Sequence, residues 1–370
     1  MPLSLETLTV SRFRGLRDLV LADLGRINLL VGPNNTGKTS ILEAVAIFCR
    51  PLDLRAWLDA VWRREALASD ESFIGLVEWM FPHRRQASSP SVEGEVSISG
   101  TGPIGFHRSV RKMTAHYRPI SRIRPGPPPV PSDINGADKS SYEQPGAQLR
   151  FKAVVEGRKN ELVRRYSLWD GESVLLPDQR GPLSVPVATV SGVSHRVEPV
   201  QKELTEVTLD RQKHEILSLL KALDPRIQDV LVLSPKGKRA VIHVDYASSG
   251  ILPLSSFGDG VRRALLIALV LHSVAGGVLL IDEIESSLHV TALGSLFSWL
   301  VKSCEKLDVQ LFATTHSLEA VDAMIEVESK SLDRIVGYHL EAPKGVPQAQ
   351  RMDGDLLHRL RYERGLDVRL

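Results

Sequence analysis

Cysteine is nearly absent: Cys49 and Cys304 are the only two in 370 residues, with no C-x-x-C pair between them, so neither a disulfide framework nor a thiolate metal site is on offer. Both fall in apolar helical patterns and read as small buried hydrophobes in a reducing compartment. Long hydrophobic runs are missing too. None reaches the roughly 18 residues of a membrane span, and Met1-Pro2-Leu3-Ser4-Leu5-Glu6 lacks the blocks of a signal peptide. The expectation is a soluble cytoplasmic protein without a membrane partner. Charge of one sign is also lacking, with 46 Lys and Arg against 44 Asp and Glu. That balance permits nucleic-acid contact without arguing for it. No Asn-Lys-x-Asp occurs to read guanine, and no sustained heptad repeat argues for a long coiled coil. At 43% apolar content the chain can bury one large core or two lobes.

What is present is chemistry in a definite order. Gly32-Pro33-Asn34-Asn35-Thr36-Gly37-Lys38-Thr39 fills G-x-x-x-x-G-K-[ST] directly after the apolar run Ile27–Val31. A strand ending in such a turn brings backbone N–H groups and a helix N-terminus to one point, the physical basis of phosphate binding. Gly32, Asn34, Asn35, Thr36, Gly37, Lys38, Thr39 and Ser40 are therefore the candidate triphosphate cradle. Lys38 would reach the β- and γ-phosphates, and the Thr39 hydroxyl would ligate Mg²⁺. Farther on, Val278-Leu279-Leu280-Ile281 ends in Asp282-Glu283, the pattern of a strand buried on both faces with carboxylates at its C-terminal edge. Asp282 would complete the Mg²⁺ shell and Glu283 would polarise a water. Between them, Ser255-Ser256-Phe257-Gly258-Asp259-Gly260 opens a helix and makes a second anion site through Ser256, Gly258 and Asp259. The run Gln310–Thr315 ends in His316, placed to sense the γ-phosphate or hold the water.

The rest of the chain reads as a split organisation. Residues 1–50 and 225–340 form a P-loop core, 51–224 an inserted helical and antiparallel-β lobe, and 341–370 a hairpin and helix tail. Within the insertion, Leu54, Trp57, Leu58, Val61 and Trp62 recur at helical spacing between Leu52 and Phe81, and the tryptophans read as packing rather than base stacking. Strands are expected at Val92–Ile98, Leu149–Glu156 and Leu162–Leu168, and a polar helix from Pro199 to Leu223. Pro119–Gln148, rich in Pro, Gly and Ser, reads as a mobile loop.

This series of motifs resembles ABC-type ATPase heads. More closely, it resembles the AAA family ATPases grouped with SMC, RecF-like and OLD-family (overcoming lysogenization defect) proteins. The matching residues are Val10-Ser11-Arg12-Phe13-Arg14-Gly15-Leu16, Gly32 to Ser40, Ser256 to Asp259, Ile281 to His289, and Thr315-His316-Ser317. The resemblance implies an α/β P-loop NTPase head with a mixed, mostly parallel sheet, and an ATPase using ATP and Mg²⁺. It also implies a homodimer in which each ATP lies between the phosphate loop of one copy and Ser256 and Gly258 of the other, with Ser286–His289 crossing the seam. Three departures stand out: the signature reads Ser-Phe-Gly-Asp, the D-loop position has His289 where transporters have Asp, and no Q-loop glutamine can be placed. Fifty-four residues follow His316, too few for an acidic TOPRIM nuclease domain. Any effector is therefore expected on a separate chain, and the resemblance implies a nuclease or toxin effector in bacterial anti-phage defence. The alternative is a DNA repair or recombination ATPase that grips duplex DNA.

Overall fold

Short apolar runs without alternation fold as buried parallel strands, and alternating runs as antiparallel ones, as their side-chain period requires. The computed structural model describes residues 5–65, 73–82, 93–102, 110–126, 141–172, 174, 183–197, 200–234, 239–327 and 332–369. The chain begins with β1 (Thr7–Phe13), β2 (Leu16–Leu21), β3 (Ile27–Val31) and α1 (Lys38–Cys49), then α2 (Leu54–Glu65) and α3 (Phe73–Glu78). Four strands follow: β4 (Gly94–Thr101), β5 (Val110–Pro125), β6 (Ser141–Val155) and β7 (Leu162–Trp169). After β8 (Val187–Val190) come α4 (Ser194–Val197), α5 (Gln201–Leu209), α6 (Lys213–Leu223), β9 (Ile227–Leu233), β10 (Val241–Tyr246), β11 (Gly250–Pro253) and α7 (Asp259–Ser273). The last part holds β12 (Val278–Ile281), α8 (Val290–Lys306), β13 (Gln310–Thr314), α9 (Leu318–Val327), β14 (Ile335–Glu341), β15 (Gln348–Asp353) and α10 (Gly354–His358).

One sheet, in the order β15-β14-β3-β13-β12-β8, is parallel except for the edge strand β15. It is a wall between two cores. Leu30, Leu280 and Phe312 point into one, with α1, α2 and the antiparallel sheet; Leu29, Val31, Leu279, Ile281, Leu311 and Ala313 point into the other, with α5 to α9. Helix α1 is buried along nearly its whole surface because it lies inside the first core. That placement points its N-terminus at the C-terminal edge of the parallel strands, where open α/β sheets bind ligands. Asn28, fully buried in β3, is satisfied by Gly25 and Leu311.

The second sheet, β2-β1-β4-β5-β6-β7, is antiparallel. Its inner face closes on Trp57, which stacks against Phe81 and Phe151 at 5.1 Å each, with Phe13 edge-on at 6.4 Å. A third, small sheet, β11-β10-β9, delivers the chain to α7.

Four expectations are corrected. Residues 119–125 and 141–148 are strand, paired from Pro119↔Ala147 to Pro125↔Ser141, and only 127–140 of the expected loop lie outside the described residues. Side chains explain this. Arg122 stacks on Trp169 at 4.1 Å and bonds Gln144, and Gly146 leaves room for the Trp169 ring, none of which composition can report. The boundaries of the insertion also shift: β8, counted in it, is the edge of the parallel sheet beside β12, while β1 and β2, counted in the core, belong to the antiparallel sheet. The helical pattern from Leu52 to Phe81 is two helices, α2 and α3, with 66–72 outside the described residues. The helix expected from Pro199 to Leu223 breaks into α5 and α6 at Arg211, whose φ of 59° no helix interior tolerates.

Candidate nucleotide site

The loop after β3 departs from ordinary backbone at three points: Gly32 (φ 138°), Asn35 (φ 64°) and Gly37 (φ 91°), the last being the N-cap of α1. Gly32 is required sterically as well, since a Cβ there would lie 2.2 Å from the Leu340 carbonyl oxygen. Lys38 is buried, and its Nζ donates to the carbonyls of Gly32 and Pro33 at 2.7 Å each, closing the loop into a ring. Thr36 Oγ1 donates to Pro33 O at 2.9 Å. Pro33, Asn34 and Asn35 form the exposed rim, and Ser40 is buried in the first turn of α1. That turn holds no acidic residue of its own to offset the positive end of the helix dipole. Burial lowers the Lys38 pKa, against the pull of Asp282, Glu285 and Glu283. A partly desolvated cation at a helix N-terminus suits a polyanion.

The carboxylates follow β12, far away in sequence but only one strand, β13, from β3 in the sheet. Asp282 Oδ2 accepts from Thr39 Oγ1 at 2.9 Å, and its Oδ1 accepts from Thr314 Oγ1 at 2.5 Å. The phosphate loop and the Asp-Glu strand are therefore joined at the two groups proposed from sequence to share a cation. Glu283 sits in the left-handed region at φ 52°, and its N–H donates to Thr314 Oγ1 at 2.8 Å. His316, just past the end of β13, is held through its backbone: its N–H donates to Glu285 Oε1 at 2.8 Å, and its carbonyl accepts from Arg369 at 2.6 Å.

The second glycine-rich turn behaves differently. Ser256 ends a 3-10 turn (Leu254–Ser256), Gly258 caps α7, and both are exposed. The Asp259 carboxylate receives Arg196 Nε at 3.0 Å and Arg262 Nη1 at 3.0 Å, with His195 Nε2 at 3.5 Å. The Arg196 hydrogen bond, then that of His195, holds the Asp259 pKa down. Gly260 packs close to the Ser287 carbonyl, and His289 caps α8.

Sequence reasoning missed several neighbours. Arg263, Thr314, Glu285 and the turn Ser191-Gly192 at the end of β8 all touch Asp282, Glu283 or His316. The turn after β8 is where a strand beside β12 delivers its loop to the site, and it carries no glutamine. A second arginine directly before the apolar run Ala264–Leu271 was the available signal for Arg263.

Comparison with known proteins bears on the family and the fold. A family model described as "AAA ATPase domain" matches residues 4–74, and one described as "AAA domain, putative AbiEii toxin, Type IV TA system" matches 139–322. The chain thus carries AAA-type ATPase domain sequence over both stretches. Over 98% of its length it is similar to a crystal structure of the SMC head bound to the C-winged helix domain of ScpA, with a TM-score of 0.51 at 13% identity and 99% of that chain covered. The fold is thus that of SMC-type ATPase heads, a P-loop NTPase with parallel and antiparallel sheets as expected from sequence. An ATP/GTP phosphatase of Helicobacter pylori is 19% identical over 361 residues, covering 87% of this chain and 88% of that protein. An uncharacterized protein of Methanocaldococcus jannaschii is 42% identical over 73 residues, 20% of this chain, and the match spans 64% of that relative, under two thirds of its length. Among the described residues no helix is long and apolar enough to cross a membrane.

Proposed function

We propose that this ATPase is a switch in which ATP and Mg²⁺ join two copies head to head and hydrolysis lets them part. One observation carries the reading. A closed phosphate cradle with its carboxylates attached lies on the same chain as a second glycine-rich helix start, Ser256 to Gly258, that is exposed. Such a turn finds a use when a second copy brings a γ-phosphate to it. The Thr39 hydroxyl and Asp282 carboxylate, 2.9 Å apart, are an oxygen-only pair of the kind Mg²⁺ takes together with phosphate oxygens and water, and the ion would offset phosphate charge. Lys38 would leave the loop carbonyls for the β- and γ-phosphates, Glu283 would polarise the attacking water, and His316 would sense the γ-phosphate or steady that water.

The switch would control a separate effector, a nuclease or toxin, in bacterial defence. Support comes from the family model over 139–322, whose description names a toxin of a toxin–antitoxin system. A second reading, a repair ATPase on duplex DNA, is favoured by one feature: Arg150 stands directly across from Arg165 on the antiparallel sheet. Like charges in register oppose folding unless something outside offsets them.

Molar mass measured on Glu283→Gln with and without ATP and Mg²⁺ tests the switch. A dimer that forms only with nucleotide supports it, and full-speed hydrolysis by a strict monomer at every concentration would end it. DNA binding that falls steeply with salt and weakens in Arg150→Glu would shift the weight to repair.

A further inference from the structure

Arg263 is fully buried, yet none of its hydrogen bonds goes to a carboxylate. Its guanidinium donates to three carbonyls: Ser191 at 2.7 Å, Asp282 at 3.1 Å and Glu283 at 2.6 Å. Burying an arginine among carbonyls forfeits its hydration, so the planar fork has to find several acceptors placed to match it. Here those acceptors flank the one carboxylate proposed to face the water. Glu283 lies in the left-handed region, φ 52°, where a residue with a side chain stays only if its surroundings over-determine it.

Those surroundings can be named. The Glu283 N–H is held by Thr314 Oγ1, and its carbonyl accepts from Arg263 and from the Ser286 N–H at 2.9 Å. The Ile284 N–H is tied to the Thr314 carbonyl at 3.0 Å. At the far end of the side chain, Glu283 Oε2 lies so close to Gly192 that a Cβ there would approach it to 3.0 Å. Arg263 grips that wall as well, through Ser191. The same guanidinium thus sets the turn from which the carboxylate springs and the surface it rests against. It stands five residues into the helix capped by Gly258, so the clamp and the signature turn belong to one rigid element.

We propose that Arg263 is a positioning residue for Glu283, keeping its backbone in the left-handed turn and so its carboxylate aimed for hydrolysis. This rests on the reading of Glu283 as the group that polarises water. The proposal is tested by a kinetic cycle on the full chain. Arg263→Lys keeps length and charge but not the planar fork, and Arg263→Met removes the donors. In both, turnover is expected to fall on the order of 100-fold, the effect of a displaced catalytic group, while the KM for ATP and nucleotide-driven pairing stay within about twofold of the parent, the range of a conserved ground-state interaction. The double variant Arg263→Met with Glu283→Gln should be no slower than Glu283→Gln alone, because a residue that acts only through Glu283 has nothing left to position.

Losses that multiply in the double variant, or loss of ATP affinity in step with turnover, overturn the proposal. So does Arg263→Met retaining more than half of the parent rate. Normal turnover in Glu283→Gln alone is a different result: it removes the water-polarising role itself, before the cycle is read. Should Arg263→Met not fold, Arg263→Lys carries the same cycle.

Discussion

Two glycine-rich turns open two helices in this protein, and they are built on opposite plans. The turn before α1 is closed: Gly32 and Gly37 take positive φ, Lys38 is buried across the loop's own carbonyls, and no acid stands in the first helical turn. The turn before α7 is open. Gly258 has φ −61° and ψ 154°, a conformation any residue adopts, nothing lies within 4 Å of where its Cβ would be, and Asp259 already sets a negative charge at the helix start. The first turn, on the proposed reading, is a self-sufficient phosphate cradle. The second cannot hold an anion by its dipole alone, because Asp259 offsets it, and needs the Ser256 hydroxyl and the flanking Arg196 and Arg262. One turn is tied shut by its own chain, and the other stands exposed.

The largest expected effect breaks the closed turn chemically. Lys38→Ala removes the cation proposed to move onto the transferred phosphoryl group, and turnover should drop by at least about 100- to 1000-fold, the worth of one charge-stabilising donor. Steady-state phosphate release and fluorescent-nucleotide binding measure it, and near-normal turnover would deny the loop its role. Next comes the closed turn broken sterically. Gly32→Ala forces a side chain into φ 138° and against the Leu340 carbonyl. A loss of about 3 kcal/mol or more is expected from strain and overlap together, read by chemical unfolding. An unfolding curve that matches the parent would show that the loop relaxes freely and is not a closed ring.

The contrast between the turns also explains what could be read without coordinates. The closed turn announces itself because each of its oddities demands a residue type: positive φ demands Gly, the buried cation Lys, the cation shell Thr39, and a short run without alternation marks the buried strand before it. Asp282 and Glu283 were legible for the same reason. What hid were the residues that work by position rather than type. Thr314 is one threonine of two before His316, and only the Asp282 and Glu283 contacts single it out. Ser191-Gly192 matters because β8 pairs with β12, a pairing between segments about ninety residues apart that no local pattern encodes. The same blindness mislaid the strands through 119–125 and 141–148, where Arg122, Gln144, Gly146 and Trp169 lock a Pro- and Gly-bearing hairpin by side-chain contacts.

Smaller effects sharpen the open turn. Gly258→Ala meets no atom and no φ penalty, so it should cost no more than about 1 kcal/mol of stability, the span between Gly and Ala at an N-cap. Nucleotide affinity of the isolated chain should not change, while the midpoint of ATP-driven pairing should rise about tenfold, or about 1.4 kcal/mol. A drop in single-chain nucleotide affinity would instead place the second turn on its own chain's ATP.

The smallest effect is the pH response of Asp259. Its pKa is depressed in the folded protein, first by the Arg196 hydrogen bond, so the contribution of this cluster is complete above the unfolded value of about 3.9 and fades as pH falls through the lower folded one. The carboxylate is solvent-accessible and the pair is screened, so the fold should survive its loss. Arg196→Ala should move the Asp259 titration, followed by carboxyl chemical shift, back up toward the unfolded value. An unmoved titration would mean that Arg262 and His195 hold the charge without Arg196, and that the open turn owes its negative helix start to the other side of the cluster.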